Sequence, residues 1–206
     1  QVDLPVDGRP VAFALFAHCF TCNKTLRAVN YISRELTRAG LGVFRFDFTG
    51  LGASEGEFSE TNFTSNVLDL IAAARFMQQE YAAPAILIGH SLGGSAVLKA
   101  AHEMPSVRAV ATIGSPYDPA HVLQHFAEEE ATIEQQGSAE ITLAGRSFTF
   151  RKQFIDDLRR TRPGEYIKNL NRALMVFHSP IDETVDIDNA REIFQAARHP
   201  KSFCSL

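Results

Sequence analysis

The stretch that most constrains the chain is Pro84-Ala-Ile-Leu-Ile-Gly-His-Ser-Leu-Gly-Gly-Ser-Ala-Val-Leu-Lys-Ala100. Four apolar residues bounded by Pro84 and Gly89 read as a buried strand, and the Ala- and Leu-rich residues after Gly94 read as a helix. Between them lies G-x-S-x-G. A strand that turns at once into a helix forces its central residue into a strained backbone conformation, and glycines two places either side leave room for the close approach. Ser91 Oγ then stands exposed above the sheet, at a helix N-terminus whose dipole and free N–H groups favour developing negative charge. Short patterns of this kind also arise by chance as Gly/Ser turns. The flanking strand and helix favour a nucleophile.

The 206 residues suffice for one domain with a full core, and 45% hydrophobic with 21% charged residues is the balance of a globular chain. A net charge of −4 offers no basic footprint, so nucleic acid is not an expected partner. No apolar run approaches the roughly 20 residues of a membrane span, and no charged-then-apolar leader opens the sequence, which starts at Gln1. Membrane is therefore not an expected partner either. Cys19, Cys22 and Cys204 are too few and too unevenly placed for a disulfide framework, and a reducing cytoplasm is the expected location.

Along the chain, Gln1–Pro5 reads as the end of a strand and Val11–Ala17 as a strand buried on both faces. Leu26, Val29, Ile32 and Leu36 recur at helical spacing, with Gly40 as the stop. Gly42–Asp47 is a third strand, Phe48–Glu60 a Gly/Ser loop, and Val67, Leu70, Ile71, Ala74 and Met77 mark a helix. After the central stretch comes a strand over Arg108–Ile113. Strand and helix in alternation imply a mostly parallel sheet covered on both faces. Between Ser115 and Leu170 the rhythm changes: a polar helix over Pro119–Gln136, a hairpin over Glu140–Phe150 turning at Ala144-Gly145, and charged helices over Arg151–Thr161 and after Pro163. Ala173–His178 resumes the strand pattern, Asp188–Arg198 is a helix, and Lys201–Leu206 starts a last strand.

An acyl-transfer serine needs a base, an acid to orient the base, and donors for the oxyanion. The acid is expected in the turn after a late strand, where Asp182 lies four residues beyond His178. Glu183, Asp186 and Asp188 lie close by, and Asp188 reads equally as a helix cap. One oxyanion donor is the N–H of Leu92. The other belongs to the loop His18-Cys-Phe-Thr21, with Phe20 N–H favoured. His18 reads as a residue that holds its own loop, and His90 as one packed under the elbow.

The segments Phe16–Lys24, Phe44–Gly56, Gly89–Gly94 and Pro180-Ile-Asp182 together resemble the α/β-hydrolase superfamily, and more closely the serine hydrolase module that in bacteria often precedes an OsmC-like domain in one polypeptide. The resemblance implies one α/β-hydrolase domain over 1–206: a mostly parallel twisted sheet with helices on both faces and a cap insertion at about 118–170 containing a β-hairpin. It implies a Ser-Asp-His triad acting on carboxylic esters or related acyl compounds, with a small-molecule ester as substrate. Asp47 and the glycine loop Gly50–Gly56 would shape the floor without doing chemistry. Family members carry a strand upstream of Gln1 and place the catalytic histidine beyond a segment like Lys201–Leu206, so the chain is expected to be truncated at both ends. His199 precedes the last strand, and His102, His121 and His125 fall on helices. His178 is the sole stand-in, disfavoured because it ends the strand whose own turn carries the acid. Lacking the base costs about 10⁶ in turnover, so these residues alone would be nearly inactive. Phe126, Ile133, Phe148, Phe150 and Phe154 suggest an apolar lining or the packing of the cap.

Two other function classes compete. Cys19-Phe-Thr-Cys22 superficially matches a thiol oxidoreductase, but a lone C-x-x-C is a weak signal and this one falls on the oxyanion loop. A hydrolase fold that has lost its chemistry and serves as a binding or interaction module is the other. The loop Thr49–Gly56 is not a dinucleotide site, because no helix opens directly after it and Asp69 lies inside a helix. Glu128–Glu130 and Arg159-Arg160 read as solvated faces of the insertion. No cofactor or metal is expected.

Overall fold

The computed structural model describes residues 1–143 and 145–206. Strand and helix alternate through β1 (Val2–Asp3), β2 (Ala12–Ala17), α1 (Arg27–Arg38), β3 (Leu41–Arg45), α2 (Phe63–Glu80), β4 (Ile86–His90), α3 (Leu92–Ala100) and β5 (Ala109–Ile113). An insertion follows with α4 (Glu130–Gln136), β6 (Ser138–Leu143), β7 (Arg146–Arg151), α5 (Lys152–Arg160) and α6 (Pro163–Lys168). The chain closes on β8 (Ala173–His178), α7 (Asp188–Ala196) and β9 (Lys201–Ser205). Seven strands form one sheet in the order β1-β3-β2-β4-β5-β8-β9. All neighbours run parallel except β1, which pairs antiparallel with β3.

β2 shows why the sheet is covered on both faces. Its side chains alternate between the two sides, so Phe13, Leu15 and Ala17 join the larger core beneath α2 and α3 while Ala14 and Phe16 join Val29 of α1 on the other side. Burying apolar residues on both faces is what turns an alternating strand into a continuous apolar run. α1 ends beside Gly40 at φ +87°, and α2 opens on a reciprocal cap in which the Asn62 side chain accepts Ser65 N–H and Asn62 N–H donates to Ser65 Oγ. No helix is long and apolar enough to cross a membrane among the described residues.

The insertion departs from expectation in two places. Pro119–Gln136 is not one helix: Pro119–Phe126 is a 3₁₀ segment capped by Asp118, and α4 begins only at Glu130. Three consecutive glutamates sit better at a helix N-terminus, where the dipole attracts negative charge, than in mid-helix. The charged faces are also paired rather than simply solvated, with Arg159 bridging Glu130 and Glu134 of α4. Such exposed pairs add little stability. The hairpin is present, paired antiparallel from Ser138–Arg151 to Leu143–Arg146, with Gly145 at φ +75°. Ala144, the other expected turn residue, lies outside the described residues.

The aromatic residues of the insertion, which read as an apolar lining or as the packing of the cap, take the second role. Phe126 stacks on Phe150 at 4.6 Å between ring centroids, Phe150 meets Phe154 edge-on at 5.2 Å, and Phe148 lies 4.9 Å from Phe58 of the glycine loop. With Ile133 they form the core that seats the insertion on the sheet. Phe150 is 1% exposed at the centre of this group. Phe150→Ala is expected to lower the unfolding free energy by about 3–5 kcal/mol, read from the urea midpoint.

Candidate active site

Ser91 occupies the turn between β4 and α3 at φ +52° and ψ −127°, a left-handed conformation that costs a non-glycine residue on the order of 1–3 kcal/mol. The surroundings over-determine it. Ser91 N–H donates to the Ile113 carbonyl at 2.9 Å, and Gly94 N–H donates to the Ser91 carbonyl at 2.8 Å. A Cβ on Gly89 would collide with the Gly93 carbonyl, and one on Gly93 would collide with the His18 carbonyl and lie 2.7 Å from the Ala17 oxygen. Only glycine lets the helix start so close to the ends of β2 and β4.

A cavity of about 340 Å³ opens beside Ser91, and Asp182, Phe20 and Cys19 share its wall. Asp182 sits in the turn after β8, where its Oδ1 accepts the N–H groups of Thr184 and Val185, each at 2.9 Å. Glu183, Asp186 and Asp188 are exposed and outside the lining. Asp188 is the first residue of α7 and pairs with Arg191 rather than capping the helix. His178 is fully buried beneath the acid turn, where Nε2–H donates to the Val185 carbonyl at 2.7 Å. Its ring is part of the support of Asp182 and does not reach the cavity. Phe20 and Leu92, both expected as oxyanion donors, line a small crevice behind the loop together with His18 and Gly93.

His18 holds its loop in place. Its Nδ1–H donates to the Cys19 carbonyl at 2.8 Å and its Nε2 accepts Phe48 N–H at 3.2 Å, which fixes the neutral tautomer. Burial pushes its pKa down, against the opposing pull of the Cys19 carbonyl and Asp47. His90 is not packed under the elbow but lines the cavity. α3 covers the face of β4 that carries Leu87 and Gly89, so His90 falls on the same side as Ile88, at the open end of the strand. Burial lowers its pKa and the Asp182 charge works the other way. His125, set aside on sequence because it lies on a helix, also reaches the cavity. Burial and neighbouring His121 depress it, and His121 Nε2–H donates to the Thr184 carbonyl at 3.0 Å. Thr21, Gly114, Leu143, Thr184 and Val185 complete a set that no sequence period marks, because they come from loops and from the hairpin tip.

The cysteines depart from expectation. There is no framework, yet Cys19 and Cys22 are joined by a disulfide. A turn with Cys22 N–H donating to the Cys19 carbonyl at 3.2 Å and Thr21 at φ +60° brings their Cα atoms to 5.3 Å, within disulfide range. Cys204 is free and exposed on β9. No group of three His, Cys, Asp or Glu side chains is arranged to hold a metal ion among the described residues.

Asp47 is buried and ties the loop after β2 to the glycine loop. Its carboxylate accepts the N–H groups of Lys24 at 2.6 Å and Ala53 at 2.9 Å and pairs with the Lys24 ammonium. Burial alone would raise its pKa, but these donors outweigh burial and hold the carboxyl below its ordinary range. A depressed carboxylate contributes stability above its unfolded pKa of about 4 and loses it as pH falls through the folded value. Asp47→Asn is therefore expected to be less stable than the parent at pH 7, with the gap closing below about pH 4, in urea titrations across pH.

Residues 10–146 match the family described as Serine aminopeptidase, S33. Over 77 residues the chain is 36% identical to the monoglyceride lipase of Rattus norvegicus, a match spanning 36% of this chain and only a quarter (25%) of that protein. The esterase domain of a Rhodothermus marinus protein superposes with a TM-score of 0.76 at 52% identity, covering 99% of this chain and 80% of that one. Est1E from Butyrivibrio proteoclasticus, solved with ferulic acid bound, gives a TM-score of 0.80 at 17% identity over 100% of this chain and 84% of its own, a likeness of fold alone. With well over half its length inside the family match and the sheet, elbow and flanking helices in place, the chain belongs to the serine aminopeptidase S33 family of the α/β-hydrolase superfamily.

Proposed function

We propose that this hydrolase cleaves carboxylic esters of small molecules through Ser91. Ser91 Oγ attacks the carbonyl, the N–H groups of Phe20 and Leu92 hold the oxyanion, and Asp182 orients a histidine on a segment following β9. That histidine carries the proton from Ser91 to the leaving alcohol, and water then releases the acyl group. The observation that carries the reading is the left-handed Ser91 with Asp182 on the wall of the same cavity. The esterase domain at 52% identity and the rat lipase favour an ester over the peptide bond that the family description names. Residues 1–206 are read as a single domain whose insertion, at about 118–170, caps the site and selects the substrate. The Rhodothermus marinus relative is described as the esterase domain of a protein, while an OsmC-like domain in the same polypeptide rests on the sequence resemblance. The chemistry requires neither metal nor cofactor.

The test is the intact mass of the full-length protein before and after a fluorophosphonate probe. One adduct is expected, absent in Ser91→Ala, with hydrolysis of p-nitrophenyl acetate reduced by about 10⁶ in that variant. A folded protein that takes no label would overturn the reading in favour of a binding module. Asp182→Asn is expected to lower kcat by about 10⁴ with little change in Tm, measured by the same assay and by thermal melting.

A further inference from the structure

We propose that the Cys19–Cys22 disulfide is a positioning element for the oxyanion donor Phe20, so that its reduction turns ester hydrolysis down; the inference rests on the functional reading above. Phe20 and Thr21 are the two residues enclosed by the bond, and Cys19 faces both the cavity beside Ser91 and the crevice shared by Phe20 and Leu92. The segment 18–26 contains no helix or strand. Its ends are fixed without the disulfide. His18 Nδ1–H holds the Cys19 carbonyl at 2.8 Å, while Asp47 accepts Lys24 N–H at 2.6 Å and the Arg45 guanidinium donates to the Lys24 carbonyl at 2.9 Å.

Between those anchors the backbone has weak support. Cys22 N–H reaches the Cys19 carbonyl at 3.2 Å, and the Arg146 guanidinium reaches the Thr21 carbonyl at 3.4 Å, both near the long limit of a hydrogen bond. Thr21 is held left-handed at φ +60° in the same turn. His18 holds the peptide that carries Phe20 N–H from its Cys19 carbonyl side, and the covalent bond is the firm constraint on the residues that follow, against which that peptide would otherwise tilt. The Phe20 ring is anchored separately, 5.7 Å from Phe154 and 5.8 Å from Phe150, so opening the bond frees the backbone of the loop without unseating the insertion.

Cys22 is half-buried and Cys19 is buried, which directs a reductant to Cys22. A small dithiol reductant attacks Cys22 Sγ through one thiolate, the S–S bond breaks, and Cys19 leaves as a thiolate that takes a proton. The second thiol of the reductant resolves the mixed disulfide, releasing Cys22 as a thiol. Two electrons and two protons pass from the reductant, which ends as a disulfide. A displacement of about 1 Å at a catalytic group can cost about 10²-fold, and an oxyanion donor acts more on the transition state than on the bound ester. The bond closes a short ring, the kind that contributes least to global stability.

The experiment uses the full-length protein carrying Cys204→Ser, oxidised or treated with dithiothreitol, with the state of Cys19 and Cys22 read by alkylation and peptide mass. On reduction, kcat for p-nitrophenyl acetate is expected to fall about 10²-fold with KM and Tm little changed, and to return on reoxidation. Cys19→Ser/Cys22→Ser is expected to match the reduced protein and to ignore the reductant. Equal kcat in the two states, or a pair that stays dithiol in excess oxidised glutathione, would overturn the positioning role while leaving the hydrolase reading intact. No turnover and no fluorophosphonate label on Ser91 in either state would overturn both.

Discussion

The arrangement depends on how closely the first turn of α3 approaches the ends of two strands. The His18 carbonyl at the end of β2 lies where a side chain at position 93 would be, and the Gly93 carbonyl lies where one at position 89 would be. Removing those side chains lets one helix start between neighbouring parallel strands, and the register of the central sheet brings the loops after β2, β4, β5 and β8 to the same edge. The left-handed backbone at Ser91 is a consequence of that approach, held by the Ile113 carbonyl on one side and Gly94 N–H on the other. The strain at Ser91 is sustained by contacts made by other residues.

The acid turn is built on similar lines. His178 is buried under it and holds the Val185 carbonyl, while Val185 N–H in turn holds Asp182 Oδ1. A ring that sequence alone offers as a stand-in base is used to shape the acid loop. His18 does the same for the opposite loop, through its own hydrogen bonds to the Cys19 carbonyl and Phe48 N–H. Two histidines at strand ends are thereby occupied structurally, while His90 and His125 face the cavity.

The sheet and its order of elements were legible because their signals are local and repeated: apolar runs between glycines and prolines, and 3.6-residue spacing in the helices. The elbow and the position of Asp182 were legible because backbone geometry restricts the residue types that fit. Four things were not. The Cys19–Cys22 bond depends on a turn at Thr21 that no residue preference dictates. The orientation of His90 follows from which face of β4 the helix covers, a fact of three dimensions. The insertion's phenylalanines read equally as a lining or a core, and their pairing with Phe20 and Phe58 decided for the core. Leu143, Thr184 and His125 reach the cavity from segments far apart in sequence, so no spacing links them.

β5 and β8 are adjacent in the sheet, so the whole insertion leaves and re-enters between neighbouring strands. In topology it is one long crossover. The entropy of closing a connection grows only with the logarithm of its length, about 0.6 kcal/mol for each doubling. Its aromatic core, moreover, is built largely from its own residues, and its purchase on the scaffold includes Phe20, Phe58 and the hydrogen bonds that Asn62 and Thr64 at the start of α2 donate to Gln153 and Asp157 of α5. The strands can therefore keep their register while this crossover is lengthened or shortened, which leaves the part that brings His125 and Leu143 to the cavity free to diverge faster than the part that holds Ser91.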